Sequence, residues 1–131
     1  MQREQELSGK QGLKNIIWYW MPLIGYLGVI FYFSHLSEPT QGVELPISDK
    51  VIHFLEYFPL PFLFFRVLRN VPHRPFAVHY VLWGIVLSLL YAASDEFHQM
   101  FITLREASLL DFIADGAGIA LGALCMRDIP W

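Results

Sequence analysis

Four apolar stretches divide this chain, and they constrain its fold more than any other feature. They cover residues 16–35, 51–69, 77–97 and 109–126. Each is close to the ~20 residues that a helix needs to cross the hydrocarbon core of a bilayer. A spanning segment must satisfy its backbone polar groups internally, which favours helices. The sequence therefore predicts an all-α protein, a four-helix transmembrane bundle.

The composition supports a membrane protein over a soluble one. Hydrophobic residues make up 55% of the chain and charged residues only 16%, whereas soluble domains typically contain about 25% charged residues. At 131 residues a soluble domain has too large a surface for its volume to bury so much apolar area. The net charge is -3, and the sequence has no basic stripe of the kind that binds nucleic acids. The expected partner is the lipid bilayer, with no nucleic acid.

The basic residues predict the orientation of the bundle, because loops rich in Lys and Arg stay in the cytoplasm. The N-terminal segment, the second loop and the C-terminus hold Arg3, Lys10, Lys14, Arg66, Arg69, Arg74 and Arg127. We therefore expect both termini to be cytoplasmic, with the first and third loops outside. Residues 1–15 form the expected cytoplasmic N-terminal segment, and residues 16–131 form the expected membrane domain. No small-residue cleavage site follows the first span, so we interpret it as an uncleaved helix.

Polar residues concentrate at the predicted outer ends of the helices. Helical spacing places several of them on shared faces: Lys50, His53 and Tyr57 on one helix; Asp95, His98 and Gln99 on the next; and Asp111, Asp115, Gly118 and Gly122 on the last. Ionisable groups at membrane depth are costly and usually face the bundle interior or a wet cavity. The sequence therefore predicts one shared pocket that opens outward.

The same residues carry a resemblance to a known family. The pattern comprises Asp49-Lys50-x-x-His53-x-x-x-Tyr57, Asp95-Glu96-x-x-Gln99-x-Phe101, Arg105, Asp111 and Gly118-x-x-x-Gly122. It resembles the VanZ-like family from Ser34 onward. The resemblance implies a small multi-pass protein of the bacterial cytoplasmic membrane, and the founding member is associated with resistance to the glycopeptide teicoplanin. The chain departs from the family at Thr103-Leu104, where Pro-Gly is common, and at Asp115, where Asn is common.

Two classes of function fit this pocket. Candidate catalytic residues are His53, Asp95, Glu96 and Asp111, since imidazole and carboxyl groups move protons. Candidate ligand-binding residues are Asp49, Lys50, Tyr57, Gln99, Arg105 and Asp115; the two cations among them can hold phosphate or carboxylate. The first hypothesis is a protein that binds, and hydrolyses or transfers, an anionic lipid-linked envelope component. The alternative is a non-catalytic accessory protein whose polar network is mainly structural, with pairs such as Lys50–Asp111. Whether the chain is an enzyme stays open here.

Two further features have competing interpretations. His53, His98, Asp95 and Glu96 offer ligands for zinc or manganese. No compact ligand motif is present, so the sequence favours no metal site, and it names no cofactor. Gly118-x-x-x-Gly122 is a small-residue seam of the type that lets helices approach closely. Internal packing is its expected role, and a homodimer through the same glycines is the alternative.

Overall fold

The computed structural model describes residues 2–35, 49–102 and 108–130. Predictions about Arg105 and the Thr103-Leu104 turn before it lie outside the described residues. All regular secondary structure within that part of the chain is helical, as expected. The helices in chain order are α1 (Gln2–His35), α2 (Asp49–Tyr57), α3 (Leu60–Arg69), α4 (Arg74–Val78), α5 (Tyr80–Gln99) and α6 (Leu109–Met126).

Four of these segments are long and apolar enough to cross a membrane. They are Ile17–His35, Asp49–Arg69, Tyr80–Gln99 and Leu109–Met126, which confirms the predicted number of spans. The third begins at residue 80 rather than 77, because the backbone leaves helical geometry at His79 and separates α4 from α5. α1 continues through the polar N-terminal region without a break from residue 2.

Proline divides the second span into two helices. α2 ends at Tyr57 and α3 begins at Leu60, with Pro59 in the N-cap position and Pro61 in the first turn. Proline has no N–H to donate and cannot continue a regular helix without displacing the preceding turn. Phe58 still donates its N–H to the carbonyl oxygen of Phe54, at 3.0 Å. The two prolines therefore interrupt the second span just after Tyr57, between α2 and α3.

A seam of two glycines brings α6 against the backbone of α2. A Cβ on Gly118 would overlap the carbonyl oxygen of Phe54, and one on Gly122 would overlap that of Phe58. Both glycines are buried, and α2 and α6 form a closely packed pair. The structure thus shows the internal packing. A homodimer through the same glycines stays a prediction, and it would require α6 to leave α2.

Two tyrosines join the long first helix to the other spans. Tyr26 donates its hydroxyl to the carbonyl oxygen of Glu56 at 2.7 Å, and Tyr91 of α5 donates to that of Leu27 at 2.6 Å. Between these contacts lies the apolar core, formed by Leu23, Ile30, Tyr57, Leu60, Val67, Ala92 and Ile119. Large apolar side chains cover the outside of the helices, as expected for surfaces that face lipid.

Arginines gather at one end of the bundle. Arg66 donates to the carbonyl oxygen of Trp18 at 3.3 Å, and Arg69 donates to that of Ile129 at 3.5 Å. At the same end Tyr80 donates to the carbonyl oxygen of Arg127 at 2.9 Å. The opposite end contains the start of α2, the end of α5 and the start of α6, where the acidic residues lie.

Candidate functional site

Three helices meet at the acidic end, because α2 and α6 begin there and α5 ends there. α2 and α6 therefore run parallel to each other. Lys50 contacts Asp111, and His53 contacts Asp115. A step of three residues along α2 therefore corresponds to a step of four residues along α6. Ser108 caps α6 by accepting a hydrogen bond from the N–H of Leu110 at 3.2 Å. Ser108 is therefore the N-cap that starts α6 at the acidic end.

The first pair across α2 and α6 is an ion pair at the rim. The ammonium group of Lys50 contacts a carboxylate oxygen of Asp111 directly, and it lies 3.8 Å from the carboxylate of Asp49. The Lys50 side chain is 43% exposed, whereas that of Asp111 is 6% exposed. The cation therefore faces outward, above a carboxylate that is buried.

The second pair lies one turn deeper and is fully enclosed. His53 Nδ1 lies 3.0 Å from Asp115 Oδ1, and the two side chains are 5% and 0% exposed. The other ring nitrogen, Nε2, lies 4.0 Å from a carboxylate oxygen of Asp49. A carboxylate that binds one imidazole nitrogen fixes the ring and its tautomer, and leaves the second nitrogen available for proton transfer.

Helix α5 supplies the third side of the cluster. Gln99 donates to Asp95 Oδ2 at 3.3 Å and to the Ser34 hydroxyl of α1 at 3.2 Å. Glu96 turns toward α6 instead, where its Oε2 accepts the N–H of Ser108 at 3.0 Å. All three α5 side chains are buried. Glu96 thus links the end of α5 to the beginning of α6.

Three buried polar atoms have no hydrogen-bond partner within the described part of the chain. They are the Tyr57 hydroxyl, Glu96 Oε1 and Asp115 Oδ2. Buried polar atoms in proteins are almost always hydrogen-bonded, and an uncompensated buried carboxylate is especially costly. The local network therefore satisfies Lys50 and Asp111 but leaves the deeper part of the cluster incomplete.

His98 does not join His53, contrary to the combination that the sequence suggested for a metal. Its Nε2 lies 3.3 Å from Nδ1 of His35, and its ring stacks on Phe31 with centroids 4.8 Å apart. The pair joins the ends of α1 and α5, on a different side from Glu96. Sequence reasoning missed this pair because the two histidines are 63 positions apart and no spacing rule connects them.

A shallow open groove borders the cluster, and Glu96 is among its lining residues. It lies between the end of α5 and the start of α6, with a volume of about 370 Å³. Its lining is mostly apolar, including Phe97, Met100 and Phe112, and its polar members are Glu96 and Ser108.

Of the ten site residues predicted from sequence, the structure gathers nine. Lys50, His53, Asp111 and Asp115 form the two cross-helix pairs; Asp49 lies at the rim. Tyr57, Asp95, Glu96 and Gln99 are buried beside them. The tenth, Arg105, lies outside the described residues.

Comparison with known proteins identifies the family. A family model described as VanZ/LLP1 matches residues 5–129. The chain belongs to this family. The resemblance noted from the motifs is thus confirmed, and it extends over nearly the whole VanZ-like chain.

One relative comes from a yeast. An uncharacterized protein of the fission yeast Schizosaccharomyces pombe is 32% identical over 96 residues, which cover 73% of this chain and 57% of that protein. The chain therefore spans little more than half of that relative's length. No solved structure matches the chain significantly.

Proposed function

We propose that this VanZ-family membrane protein binds an anionic lipid-linked envelope component at the acidic end of the bundle and hydrolyses or transfers its head group. The observation that carries the proposal is the meeting of a half-exposed lysine, a buried His–Asp pair and an apolar groove at one membrane end. The location we propose is the extracytoplasmic face of a bacterial cytoplasmic membrane. The cellular consequence we propose is resistance to glycopeptides such as teicoplanin.

The groove and the rim support a ligand with two chemically different ends. The apolar lining between Phe97 and Phe112 suits an acyl or prenyl chain, and it ends at Glu96. At the rim, the Lys50 ammonium faces outward, and the N-termini of α2 and α6 carry partial positive charge. An anionic head group at the rim would contact these charges without entering the acidic interior.

The His53–Asp115 pair supports chemistry in addition to binding. Asp115 is completely buried behind the ring, and Asp49 is near the opposite nitrogen. This arrangement suits a general base or a nucleophilic imidazole. In hydrolysis of a lipid diphosphate, the imidazole would accept the proton of a water molecule whose oxygen attacks the terminal phosphorus. The bond from that phosphorus to the bridging oxygen would break, which releases inorganic phosphate and leaves the lipid monophosphate.

A structural role for the same residues is the second candidate. It is favoured by the fact that both pairs, Lys50–Asp111 and His53–Asp115, connect the same two helices. Under this alternative the variants lose stability in detergent, but the molecules that remain folded keep the ligand affinity of wild type. Folding is therefore measured beside binding in each experiment.

Binding is tested with purified protein in nanodiscs. We compare a polyprenyl phosphate with the uncharged polyprenol of equal length, using wild type, Lys50→Gln and a control, Arg69→Gln, at the opposite end. We expect the phosphate to bind more tightly to wild type, and Lys50→Gln to weaken it about tenfold, because about 1.4 kcal/mol corresponds to a factor of ten. Equal affinity for phosphate and polyprenol would refute the proposal.

Turnover is tested with the same preparation and a polyprenyl diphosphate, by measuring released phosphate. Wild type should release phosphate, while His53→Ala should retain binding and lose release. Binding without release by wild type would reduce the proposal to a binding protein. Teicoplanin susceptibility of a bacterial host that expresses wild type or Lys50→Gln tests the proposed consequence.

Orientation is tested with single cysteines in a Cys125→Ser background. Met100→Cys lies after α5 at the acidic end, and Asp128→Cys lies after α6 at the arginine end. A membrane-impermeant maleimide applied to intact cells should label the first and not the second. The reverse pattern would place the cluster on the cytoplasmic side.

A further inference from the structure

The deepest part of the cluster has the donor set of a metal site. One ligand atom from each of His53, Glu96 and Asp115 lies within 4.8 Å of the others, and all three residues are buried. The set combines an imidazole nitrogen with two carboxylate oxygens, and it is assembled from three separate helices. Mixed nitrogen and oxygen donors of this kind suit Zn²⁺ or Mn²⁺, whereas Mg²⁺ and Ca²⁺ prefer oxygen alone.

The unpartnered atoms point to a ligand independently of that spacing. Glu96 Oε1 and Asp115 Oδ2 have no hydrogen-bond partner among the described residues. Asp115 is 0% exposed and Glu96 is 9% exposed, so both carboxylates are largely shielded from bulk water. A hydrogen-bond network that served stability alone would use these atoms, because each costs free energy when buried unpaired.

The distribution of charge separates this inner set from the rim. A second set that could hold an ion, Asp49 with His53 and Asp111, lies beside Lys50, whose ammonium already contacts Asp111. That positive charge disfavours a cation at the rim. In the inner set the direct partner of Asp115 is His53, and no lysine or arginine among the described residues forms an ion pair with Glu96 or Asp115.

The distance within the His53–Asp115 pair also fits shared coordination. Ligand bonds to zinc are about 2.0–2.2 Å long for nitrogen and oxygen, so neighbouring donors on one ion lie about 3 Å apart. His53 Nδ1 and Asp115 Oδ1 are 3.0 Å apart. The pair can therefore hold an ion without a change of helix position.

We infer that His53, Glu96 and Asp115 form a binding site for one divalent transition-metal ion, of the Zn²⁺ or Mn²⁺ type. The ion would lie below Lys50 at the end of the apolar groove that reaches Glu96. This inference does not rest on the proposed lipid ligand. It departs from the expectation from sequence that no metal is bound, an expectation that depended on the lack of a compact ligand motif.

The test uses the full chain, purified in detergent, stripped with a chelator and dialysed against Zn²⁺ alone or Mn²⁺ alone, with no lipid ligand added. Bound metal is counted by mass spectrometry, and Mn²⁺ is also followed by electron paramagnetic resonance. All proteins carry His98→Gln, which removes the exposed His35–His98 pair as a competing zinc site. Helix content and monodispersity are recorded for every variant.

We expect one equivalent of metal per chain, and at least tenfold weaker binding in Glu96→Gln and in Asp115→Asn. The control Asp128→Asn, an exposed acid after α6, should bind like its parent. If Asp115→Asn does not fold, Glu96→Gln decides, because Glu96 lies at a helix end. Failure of the parent to bind one equivalent overturns the inference, and so does unchanged binding in the folded variants. Since no lipid is present, this result is independent of the head-group experiments.

Discussion

The glycine at position 122 should be the least replaceable residue of the α2–α6 contact. In Gly122→Ala the new methyl group would overlap the carbonyl oxygen of Phe58, a backbone atom that no rotamer change can move. Overpacking of this kind typically costs about 1–3 kcal/mol, and contact with rigid backbone favours the upper end. Alanine recovers about 1 kcal/mol through its higher helix propensity. The expected net loss in the free energy of unfolding is therefore about 2 kcal/mol.

Gly116→Ala on the same helix is the matched control. Its new methyl group would meet only Leu89 Cδ2, at 3.9 Å, which is ordinary van der Waals contact. The same gain in helix propensity then applies without a clash, so this variant should be up to about 1 kcal/mol more stable than wild type. The two substitutions are chemically identical, and they should differ by about 3 kcal/mol through packing alone.

The assay is equilibrium unfolding in mixed micelles with increasing dodecyl sulfate, followed by circular dichroism. The expected order of stability is Gly116→Ala, wild type, Gly122→Ala. If Gly122→Ala is as stable as Gly116→Ala, α6 does not approach the α2 backbone as described. The register that aligns Lys50 with Asp111 and His53 with Asp115 would then be wrong as well.

Three further predictions use the same unfolding assay. Lys50→Gln should lower the free energy of unfolding by about 1–2 kcal/mol. This is less than the loss of a fully buried ion pair would cost, because the Lys50 side chain is 43% exposed. If the effects of Lys50→Gln and Asp111→Asn simply add in the double variant, the two side chains do not interact. His53→Ala should lower the free energy of unfolding by about 3–5 kcal/mol, because it leaves the charged Asp115 carboxylate buried without a partner. Asp115→Asn removes that charge and should change the free energy of unfolding by less than about 1 kcal/mol. Equal losses in the two variants would indicate that Asp115 is not charged. Ser108→Ala should cost about 1 kcal/mol through loss of the α6 N-cap, and no loss would contradict the cap.

Much of the fold could be predicted from local sequence signals. Span length, the prolines at 59 and 61, the cap at Ser108 and the spacing of the seam each act within one helix or at one helix end. The pair of Lys50 with Asp111 was also anticipated, because opposite charges at the same membrane depth have few other partners. These signals depend on neighbouring residues and on the depth of a residue in the membrane, and both can be read from the sequence.

The rest required the rotation of each helix about its own axis, which sequence alone does not specify. His98 and Gln99 both contact the end of α1, at His35 and Ser34, but the sequence did not reveal that the His98 contact is exposed while Asp95 and Gln99 are buried. The deeper pair of His53 with Asp115 depends on the register of α2 against α6. The glycine seam sets that register through backbone contact, and the sequence does not reveal which turn of α2 the seam meets.

The packing seam and the site therefore depend on one another. Gly118 and Gly122 let α6 approach α2 closely enough for two pairs to form, and those pairs alone would be enough to keep the helices in register. The buried carboxylate of Glu96 and the second carboxylate oxygen of Asp115 both raise the free energy of the folded state. A bundle selected for stability alone would not need them. Natural proteins keep such locally unfavourable groups mainly where function needs them. Among the described residues, the unsatisfied atoms of the cluster therefore support the proposed ligand over a purely structural role.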